Sequence, residues 1–365
     1  MSGIVLQGIR RSFGNTHAVK ETDFTFPDGS VTCLLGPSGC GKTTLMRMIA
    51  GLERPSAGRI LFDGCDVTAW PARRRDVAMV FQYPVMYRTL TVEQNIALAL
   101  DNARVPRTER RTRIEAVIDV MQLGDCRRLG IDALDIGTRQ RVAVARAIAR
   151  DCAVILFDEP TTNIEMHAKL QLIRAFKQYR SRLRETITPQ TVIYVTHDQT
   201  EAMTLADRIA LMRDGAIAQC ADPRTLYDRP DSEFGGWFIG NPGMNFLAGR
   251  ADAPGRVAFD CLPVSLAAPG GEIDGLRLGV RPERVIVGPA GCGGVPGRVL
   301  RRTLTVGGQA LLLLEVGQST MRARMSAGTI FDPGEAVSVH CSPDHIVLFR
   351  NGSRLSMSSE TIEAA

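Results

Sequence analysis

A glycine-rich segment, GPSGCGKTT, follows a short apolar run and leads into the helical spacing of LMRMIAGL. It fits the pattern G-x-x-x-x-G-K-S/T, with the strand before it and the helix after it that this pattern requires. Glycines let backbone amides turn inward around phosphate oxygens, and the helix N-terminus adds a positive dipole. Lys42 would reach the outer phosphates, and the Thr43 hydroxyl would complete the shell of a Mg²⁺ ion. The phosphate-binding residues predicted from this segment are Gly36, Pro37, Ser38, Gly39, Cys40, Gly41, Lys42, Thr43 and Thr44.

Two adjacent carboxylates follow another apolar run, about 115 residues further along the chain. Val154 to Phe157 predicts a buried strand, and Asp158 and Glu159 stand directly after it. Asp158 would hold the metal ion through water, and Glu159 would polarise the attacking water as a general base. An Asp-Glu pair after a strand is a weak signal alone. Combined with the phosphate loop, it predicts hydrolysis of a nucleoside triphosphate bound with Mg²⁺.

The surrounding sequence alternates short strands with helices. Residues 3 to 27 predict two or three strands that end in a turn at Pro27 to Gly29. The later strands are separated by helical stretches, which indicates a buried parallel sheet. Between about residues 90 and 150 the sequence predicts a helical subdomain inserted between strands. The strands predicted after the phosphate loop are Arg59 to Phe62, Val77 to Phe81, Val154 to Phe157, Val192 to Val195 and Ile209 to Met212.

Composition excludes several classes of protein. The 365 residues exceed one usual domain, and the hydrophobic fraction of 44% and charged fraction of 23% are those of a globular protein. The net charge of +5 comes from arginines spread through the chain, which indicates solvated surface.

The nine cysteines contain no C-x-x-C pair, which argues against a zinc site or a disulfide framework. The sequence has no signal-peptide core and no run near the roughly 18 apolar residues that cross a bilayer. We therefore expect a protein of the reducing cytosol that meets a membrane only through partners.

After about residue 235 the composition shifts to glycine, proline, valine and leucine in short runs, as in GLRLGVRPERVIVGPAG. Short strands with frequent turn signals predict a small all-β domain. The tail RLSMSSETIEAA is expected to be frayed. The sequence thus predicts an α/β domain over residues 1–235 and a β domain over residues 236–365.

Together these segments resemble the ATPase subunits of ABC importers, in the carbohydrate-uptake branch that includes the maltose, glycerol-3-phosphate and glycerol types. The similarity extends over nearly the whole chain and includes ADRIALMRDG, FIGNPGMN and LGVRPE at Leu278 to Glu283. It implies an α/β P-loop NTPase core with a helical subdomain at about residues 83–150, followed by a smaller all-β, OB-like regulatory domain. It also implies that the nucleotide is ATP.

The resemblance assigns roles to residues outside the two motifs. Phe13, in RSFGN, is similar to the aromatic residue that stacks on adenine, and Gln82, in MVFQYPVMY, to the glutamine that senses Mg²⁺ and the attacking water. His197, in VIYVTHDQTEAM, is similar to the histidine that hydrogen-bonds the γ-phosphate. The segment Asn163 to Glu165 occupies the loop that meets the opposing subunit, with Glu165 where an aspartate is usual. The implied catalytic residues are Glu159, His197 and Gln82, and the implied Mg²⁺ residues are Thr43, Gln82 and, through water, Asp158.

One segment departs from the family pattern. ATPases of this kind work as head-to-tail dimers, in which each ATP lies between one subunit's phosphate loop and the other's signature segment, normally leucine-serine-glycine-glycine-glutamine. In this chain Asp135 stands at the position of the serine, and Ile136 at that of the first glycine. An ionised Asp135 accepts hydrogen bonds but donates none, and it places a like charge near the γ-phosphate. Ile136 adds a branched side chain where a close backbone approach is expected. The degenerate signature here is Leu134, Asp135, Ile136, Gly137 and Thr138.

The chain has its own phosphate loop, Glu159 and His197, but it offers a neighbouring subunit only a degenerate signature. This asymmetry leads to the hypothesis that the chain pairs with a second, non-identical ATPase subunit. The alternatives are a homodimer with two slow sites and a soluble ABC-type ATPase not tied to transport. The other expected partners are two integral-membrane permease subunits, whose coupling helices would enter a groove near Gln82 and Tyr83 to Leu90, and a solute-binding protein, with no nucleic acid. The resemblance implies import of a sugar, glycerol or another polyol by a peripheral subunit at the cytoplasmic face of the cell membrane.

Overall fold

The computed structural model describes residues 3–183, 190–254, 256–262, 266–267, 273–305, 307–326 and 331–355. They fall into two compact units, within Met1–Pro223 and within Arg224–Ala365. Residues 356–365, in the tail that the sequence predicts to be frayed, lie outside the described residues. Within the described ranges, no helix is both long enough and apolar enough to cross a bilayer.

The first unit alternates strands and helices. Its strands are β1 (Ile4–Phe13), β2 (Thr16–Phe26), β3 (Val31–Leu35), β4 (Ala57–Phe62), β5 (Cys65–Asp66), β6 (Val77–Val80), β7 (Val154–Asp158), β8 (Thr191–Thr196), β9 (Arg208–Arg213) and β10 (Ala216–Ala221). Its helices are α1 (Lys42–Ala50), α2 (Val92–Asn102), α3 (Arg107–Val120), α4 (Ile136–Ala149), α5 (Met166–Leu183) and α6 (Gln199–Leu205).

The larger sheet of this unit has the strand order β10-β9-β3-β8-β7-β6. Neighbouring strands are parallel except β9 and β10. β3, β7 and β8 are buried along their whole length, as expected for strands covered on both faces. The carboxyl ends of parallel neighbours lie at one edge, where open α/β sheets bind ligands. The segments that follow β3, β8, β7 and β6 therefore meet at the same edge.

A smaller antiparallel sheet has the order β2-β1-β4-β5. The strand predicted at Arg59 to Phe62 lies in β4 but pairs with β1, with Ile4 opposite Phe62, so its assignment to the parallel sheet was wrong. In β4 only Ile60 is fully buried, whereas a strand inside a parallel sheet must be apolar on both faces. Both sheets and α1 share one core, which includes Leu6, Phe26, Leu34, Leu45, Met48, Leu156 and Ile193.

Helices α2, α3 and α4 stand between β6 and β7, as the sequence predicts. Thr91 starts α2 with a capping box, in which its hydroxyl accepts from the Gln94 N–H and the Gln94 side chain accepts from the Thr91 N–H. The buried Asn95 amide accepts from the Tyr87 N–H and donates to the carbonyls of Tyr87 and Leu90. The loop that precedes α2 is therefore tied to the helix by side-chain hydrogen bonds.

The second unit begins with helices and continues as antiparallel strands. Its sheets have the orders β11-β15-β21-β22, β12-β13-β14 and β16-β20-β17-β18-β19, and its core includes Val280, Leu314 and Val339. The predicted fold class, an α/β core followed by a smaller all-β domain, is confirmed. The elements are α7 (Pro223–Asp228), α8 (Glu233–Phe238), β11 (Asn245–Ala248), β12 (Arg250–Ala253), β13 (Arg256–Ala258), β14 (Leu266–Ala267), β15 (Leu276–Val280), β16 (Val285–Pro289), β17 (Val295–Leu304), β18 (Ala310–Val316), β19 (Ser319–Met325), β20 (Ala336–Cys341), β21 (Ile346–Arg350) and β22 (Ser353–Arg354).

Candidate active site

The glycine-rich loop connects β3 to α1 at the carboxyl edge of the parallel sheet. Its backbone is left-handed at Gly39 and Gly41, with φ of 80° and 100°. A Cβ at Gly41 would lie 2.2 Å from the Ala18 carbonyl oxygen, and one at Gly36 would lie 2.3 Å from the Met212 carbonyl oxygen. Both positions therefore require glycine for packing against neighbouring backbone, and Gly41 requires it for its backbone angle as well.

Lys42 begins α1 and is only 4% exposed. Its ammonium group donates to the carbonyls of Gly36 and Pro37 at 2.8 and 2.9 Å, and lies 3.7 Å from the Cys40 sulfur. Because these partners are neutral, the loop keeps a positive charge beside the α1 N-terminus, and both features favour a bound phosphate. Of the other predicted residues, Pro37, Ser38 and Gly39 are exposed, and Thr43 and Thr44 are half-buried in the first turn of α1.

The far end of α1 is held by Arg75, which no sequence pattern reveals. Arg75 is 2% exposed. Its guanidinium donates to the carbonyls of Met48 and Ile49 at 2.8 and 2.7 Å, and to those of Trp70 and Thr68. A cation is favourable there, because the last carbonyls of a helix have no partners within the helix and carry the negative end of the dipole. Arg75 thus anchors the helix whose first turn carries the phosphate loop.

Asp158, the last residue of β7, faces the start of α1. The Thr43 hydroxyl donates to the Asp158 carboxylate over 3.1 Å. Burial raises the pKa of Asp158 above its ordinary value, and the hydrogen bond from Thr43 opposes this rise. A buried carboxylate beside a hydroxyl supplies the oxygen ligands that Mg²⁺ prefers, and a cation would offset the cost of burying the charge. Both residues fit the predicted magnesium site.

Glu159 and His197 are in contact across β7 and β8. The Glu159 Oε2 atom lies 3.0 Å from Nδ1 of His197, and the Thr162 hydroxyl donates to the same oxygen at 3.0 Å. Glu159 has a φ of 45°, in the left-handed region that costs a non-glycine residue about 1–2 kcal/mol. Its N–H donates to the Val195 carbonyl of β8 over 3.0 Å. The backbone after β7 therefore turns toward β8, and the structure brings together two residues predicted to be catalytic.

Gln82 stands two residues after β6, at the sheet edge that carries Asp158 and Glu159. It is half-buried. In the described part of the chain, no hydrogen bond joins Gln82 to either carboxylate. The topology therefore puts Gln82 at the same sheet edge as the two carboxylates, with no hydrogen bond to them among the described residues.

Phe13 ends β1 and is 47% exposed. The Arg11 guanidinium lies 4.4 Å from the centroid of its ring. β2 returns from this hairpin past the phosphate loop, where Ala18 approaches Gly41. An exposed aromatic ring at the end of the hairpin that passes the loop is compatible with the predicted stacking on adenine.

The degenerate signature segment starts α4. Asp135 is its N-cap, and the carboxylate accepts from the Thr138 N–H at 2.7 Å and the Thr138 hydroxyl at 2.8 Å. The hydrogen bond from the Thr138 amide lowers the pKa of Asp135. Ile136 is 42% exposed, and a Cβ at Gly137 would lie 2.7 Å from the Ala168 Cβ on α5. Asp135 thus caps the helix as serine would, but has no hydrogen to donate to a phosphate.

A groove of about 480 Å³ opens beside β6. Its rim presents exposed apolar side chains at Phe81, Val85 and Tyr87. Gln140 of α4 donates to the Phe81 carbonyl over 3.1 Å, so the signature helix is tied to the chain next to Gln82. Of the segment that the sequence predicts to meet the permeases, Val85 and Tyr87 line this groove.

The parallel sheet, the phosphate loop and the paired acidic residues define a P-loop ATPase. The model of the ABC transporter family matches residues 19–162, and that of the TOBE domain matches residues 278–349. The chain is similar to the sn-glycerol-3-phosphate import ATP-binding protein UgpC of Paracoccus denitrificans, with 37% identity over 96% of this chain and 97% of that protein. It is 35% identical to UgpC of Yersinia enterocolitica over 98% of this chain and 100% of that protein. It is 34% identical to an uncharacterized ABC transporter ATP-binding protein, YurJ, of Bacillus subtilis over 96% of this chain and 98% of that protein.

The chain belongs to the family of ABC importer ATP-binding proteins. It binds ATP, and it is an ATPase coupled to transport. The predicted family, enzyme activity and C-terminal OB-like domain are confirmed. Family membership favours transport over the alternative of an ATPase with no tie to it. The roles of single residues and the domain boundaries remain predictions.

Proposed function

We propose that the chain hydrolyses ATP at the carboxyl edge of its parallel sheet and thereby powers solute import. Lys42 and the loop amides would bind the outer phosphates, and Phe13 would stack on adenine. Glu159 would accept a proton from the attacking water. His197 would hydrogen-bond the γ-phosphate and keep Glu159 oriented, and Gln82 would orient the water.

Mg²⁺ is the cofactor that these residues fit. Thr43, Asp158 and Gln82 would hold it, with Asp158 acting through water. The bound ion would offset negative charge on the phosphate oxygens. The raised pKa of Asp158, caused by burial, supports this role because it marks a carboxylate that lacks sufficient positive charge nearby.

The contact between Glu159 and His197 supports the proposal most directly. Oε2 of Glu159 is occupied by His197 and the Thr162 hydroxyl. Among the described residues, no group hydrogen-bonds Oε1 of Glu159. One carboxylate oxygen is therefore oriented by the protein while the other is available to accept a proton from water, as a general base requires.

The test is to replace Glu159 with glutamine in the full-length chain assembled with its partners. Loss of a general base is expected to lower ATP turnover about 10²–10⁴-fold, while ATP binding persists because the phosphate loop is unchanged. Glu315→Gln, at an exposed position of β18, is the matched control. Wild-type turnover in the Glu159→Gln protein would refute the catalytic assignment.

The solute is proposed to be a sugar, glycerol or another polyol, or a phosphate of one. Relatives named for sn-glycerol-3-phosphate import support this class. The proposed partners are two integral-membrane permease subunits and a solute-binding protein. The apolar rim at Phe81, Val85 and Tyr87 would receive the permeases, with the chain peripheral at the cytoplasmic face of the cell membrane.

The second ATPase subunit is proposed to be non-identical to this chain. The support is Asp135, which engages its carboxylate with Thr138 and can donate nothing to the ATP of an opposing subunit. A partner with an intact signature would restore one fast site. The alternative is a homodimer with two slow sites, and it predicts that adding a second ATPase subunit does not raise the ATP turnover of this chain assembled with the permeases.

A further inference from the structure

Glu201 of α6 is a completely buried carboxylate. Its Oε1 atom accepts from the Thr161 hydroxyl and from the Lys169 ammonium, the latter at 2.7 Å. Its Oε2 atom accepts from the hydroxyls of Tyr194 and Thr196 at 3.2 and 2.7 Å. A carboxylate has about four acceptor positions, and here each has a donor. The carboxylate is therefore held in one orientation by four different side chains.

Lys169 of α5 extends this network to the start of α6. Its ammonium group also contacts the Asp198 carboxylate. Asp198 caps α6 by accepting from the N–H groups of Thr200 and Glu201 at 2.7 and 3.2 Å. The Asp198 N–H in turn donates to the Thr196 hydroxyl over 2.9 Å. The lysine thus joins α5 to both the end of β8 and the first turn of α6.

The network holds the chain on either side of the catalytic pair. Thr161 lies two residues after Glu159, while Thr196 and Asp198 flank His197. In the described part of the chain, neither the Glu159 side chain nor the His197 side chain hydrogen-bonds Glu201. The two backbone segments that carry the pair instead converge on one buried carboxylate, through Thr161 and Thr196.

We infer that Lys169 and Glu201 are positioning residues, which hold Glu159 and His197 at their 3.0 Å separation for ATP hydrolysis. This inference rests on the proposed function of the pair. In the described part of the chain, neither positioning residue has a hydrogen bond or ion pair to the phosphate loop, whose Lys42 is held by the carbonyls of Gly36 and Pro37. Loss of the network should therefore change catalysis and leave nucleotide binding intact.

The experiment uses the full-length chain assembled in its transporter, with the variants Lys169→Met, Lys169→Arg and the double variant Lys169→Met/Glu201→Gln. The double variant removes both charges of the Lys169–Glu201 pair and leaves the partly exposed Asp198 with its two N–H donors. It therefore keeps the test usable if Lys169→Met does not fold. Lys177→Met, at an exposed position of the same helix, is the matched control. The measurements are the Kd for ATP and the kcat per ATP-binding site, which corrects for any unfolded fraction.

We expect Lys169→Met and the double variant to lower kcat per site about 10- to 100-fold, because small misplacements of catalytic groups have effects of this size. The Kd for ATP should stay close to that of the control. Lys169→Arg, which retains the charge and its hydrogen bonds, should recover most of the turnover.

The inference would be overturned if the kcat per site of Lys169→Met equalled that of Lys177→Met. It would also be overturned if Lys169→Met changed only the number of ATP-binding sites or the Kd for ATP. Equal loss in Lys169→Arg and Lys169→Met would also overturn it, since the ion pair would then not be the cause. Glu159→Gln in the same assay separates the two proposals. If that variant remains active, the proposed catalytic pair fails; if it is inactive while the Lys169 variants are active, only the positioning role fails.

Discussion

Replacing Asp135 with serine separates the helix-capping role of this carboxylate from the effect of its charge. Asp135 accepts two hydrogen bonds from Thr138, at 2.7 and 2.8 Å. Serine is about as good an N-cap as aspartate, whereas alanine costs about 1 kcal/mol. For a domain of this size that cost lowers Tm by about 2–4 °C. Asp135→Ser should therefore keep the wild-type Tm, and Asp135→Ala should not.

The catalytic effect of Asp135→Ser should be larger than its effect on stability. A serine hydroxyl can donate to a γ-phosphate held by the opposing subunit, and a hydrogen bond to a charged group contributes about 1.5–3 kcal/mol. ATP turnover at the site completed by this segment should then rise about tenfold or more. The assay is ATP turnover of the assembled transporter with each variant, alongside the Tm of each preparation. Unchanged turnover in Asp135→Ser, at an unchanged Tm, would refute the idea that the altered signature weakens the site.

The pH dependence of the same variants checks the capping argument. The Thr138 amide lowers the pKa of Asp135 from 3.8. A carboxyl whose pKa is lowered by folding contributes stability above its unfolded pKa, and this contribution is lost as pH falls through the folded value. The Tm difference between wild type and Asp135→Ala should therefore shrink below pH 3.8. A constant difference across this range would show that the charge of Asp135 does not support the cap.

Two further predictions concern the phosphate and metal sites. Gly41→Ala should abolish ATP binding, because its Cβ would lie 2.2 Å from the Ala18 carbonyl oxygen. Gly39 also has a positive φ, but among the described residues no atom lies within 4 Å of a Cβ built there. Gly39→Ala should therefore cost only about 1–2 kcal/mol of stability for its left-handed backbone; equal loss of binding in ATP titrations would contradict the packing argument. Burial raises the pKa of Asp158, so its contribution to stability falls as pH rises above its unfolded pKa. Asp158→Asn should therefore raise the Tm near neutral pH without nucleotide or metal, yet reduce Mg²⁺-dependent turnover about 10- to 100-fold; a lowered Tm by calorimetry would contradict this.

Local sequence determined the parts of the site that lie close together along the chain. The phosphate loop is predictable because β3, the glycines and the first turn of α1 are contiguous, and backbone angles at Gly39 and Gly41 are a local requirement. Asp158 and Glu159 are predictable because they directly follow an apolar strand. The charge of Asp135 and its inability to donate likewise follow from residue type alone.

Tertiary structure decided the contacts between segments that are distant in sequence. β4 joins β1 rather than the parallel sheet, and Glu159 meets His197 because β7 lies beside β8. Arg75 at the end of α1 and Lys169 beside Glu201 follow from no spacing pattern. The physical reason is that strand order and helix packing bring these groups together. A buried charge needs hydrogen-bond donors or acceptors, and these come from whichever segments the fold places beside it. The spacing of residues along the chain does not indicate which distant segments those are.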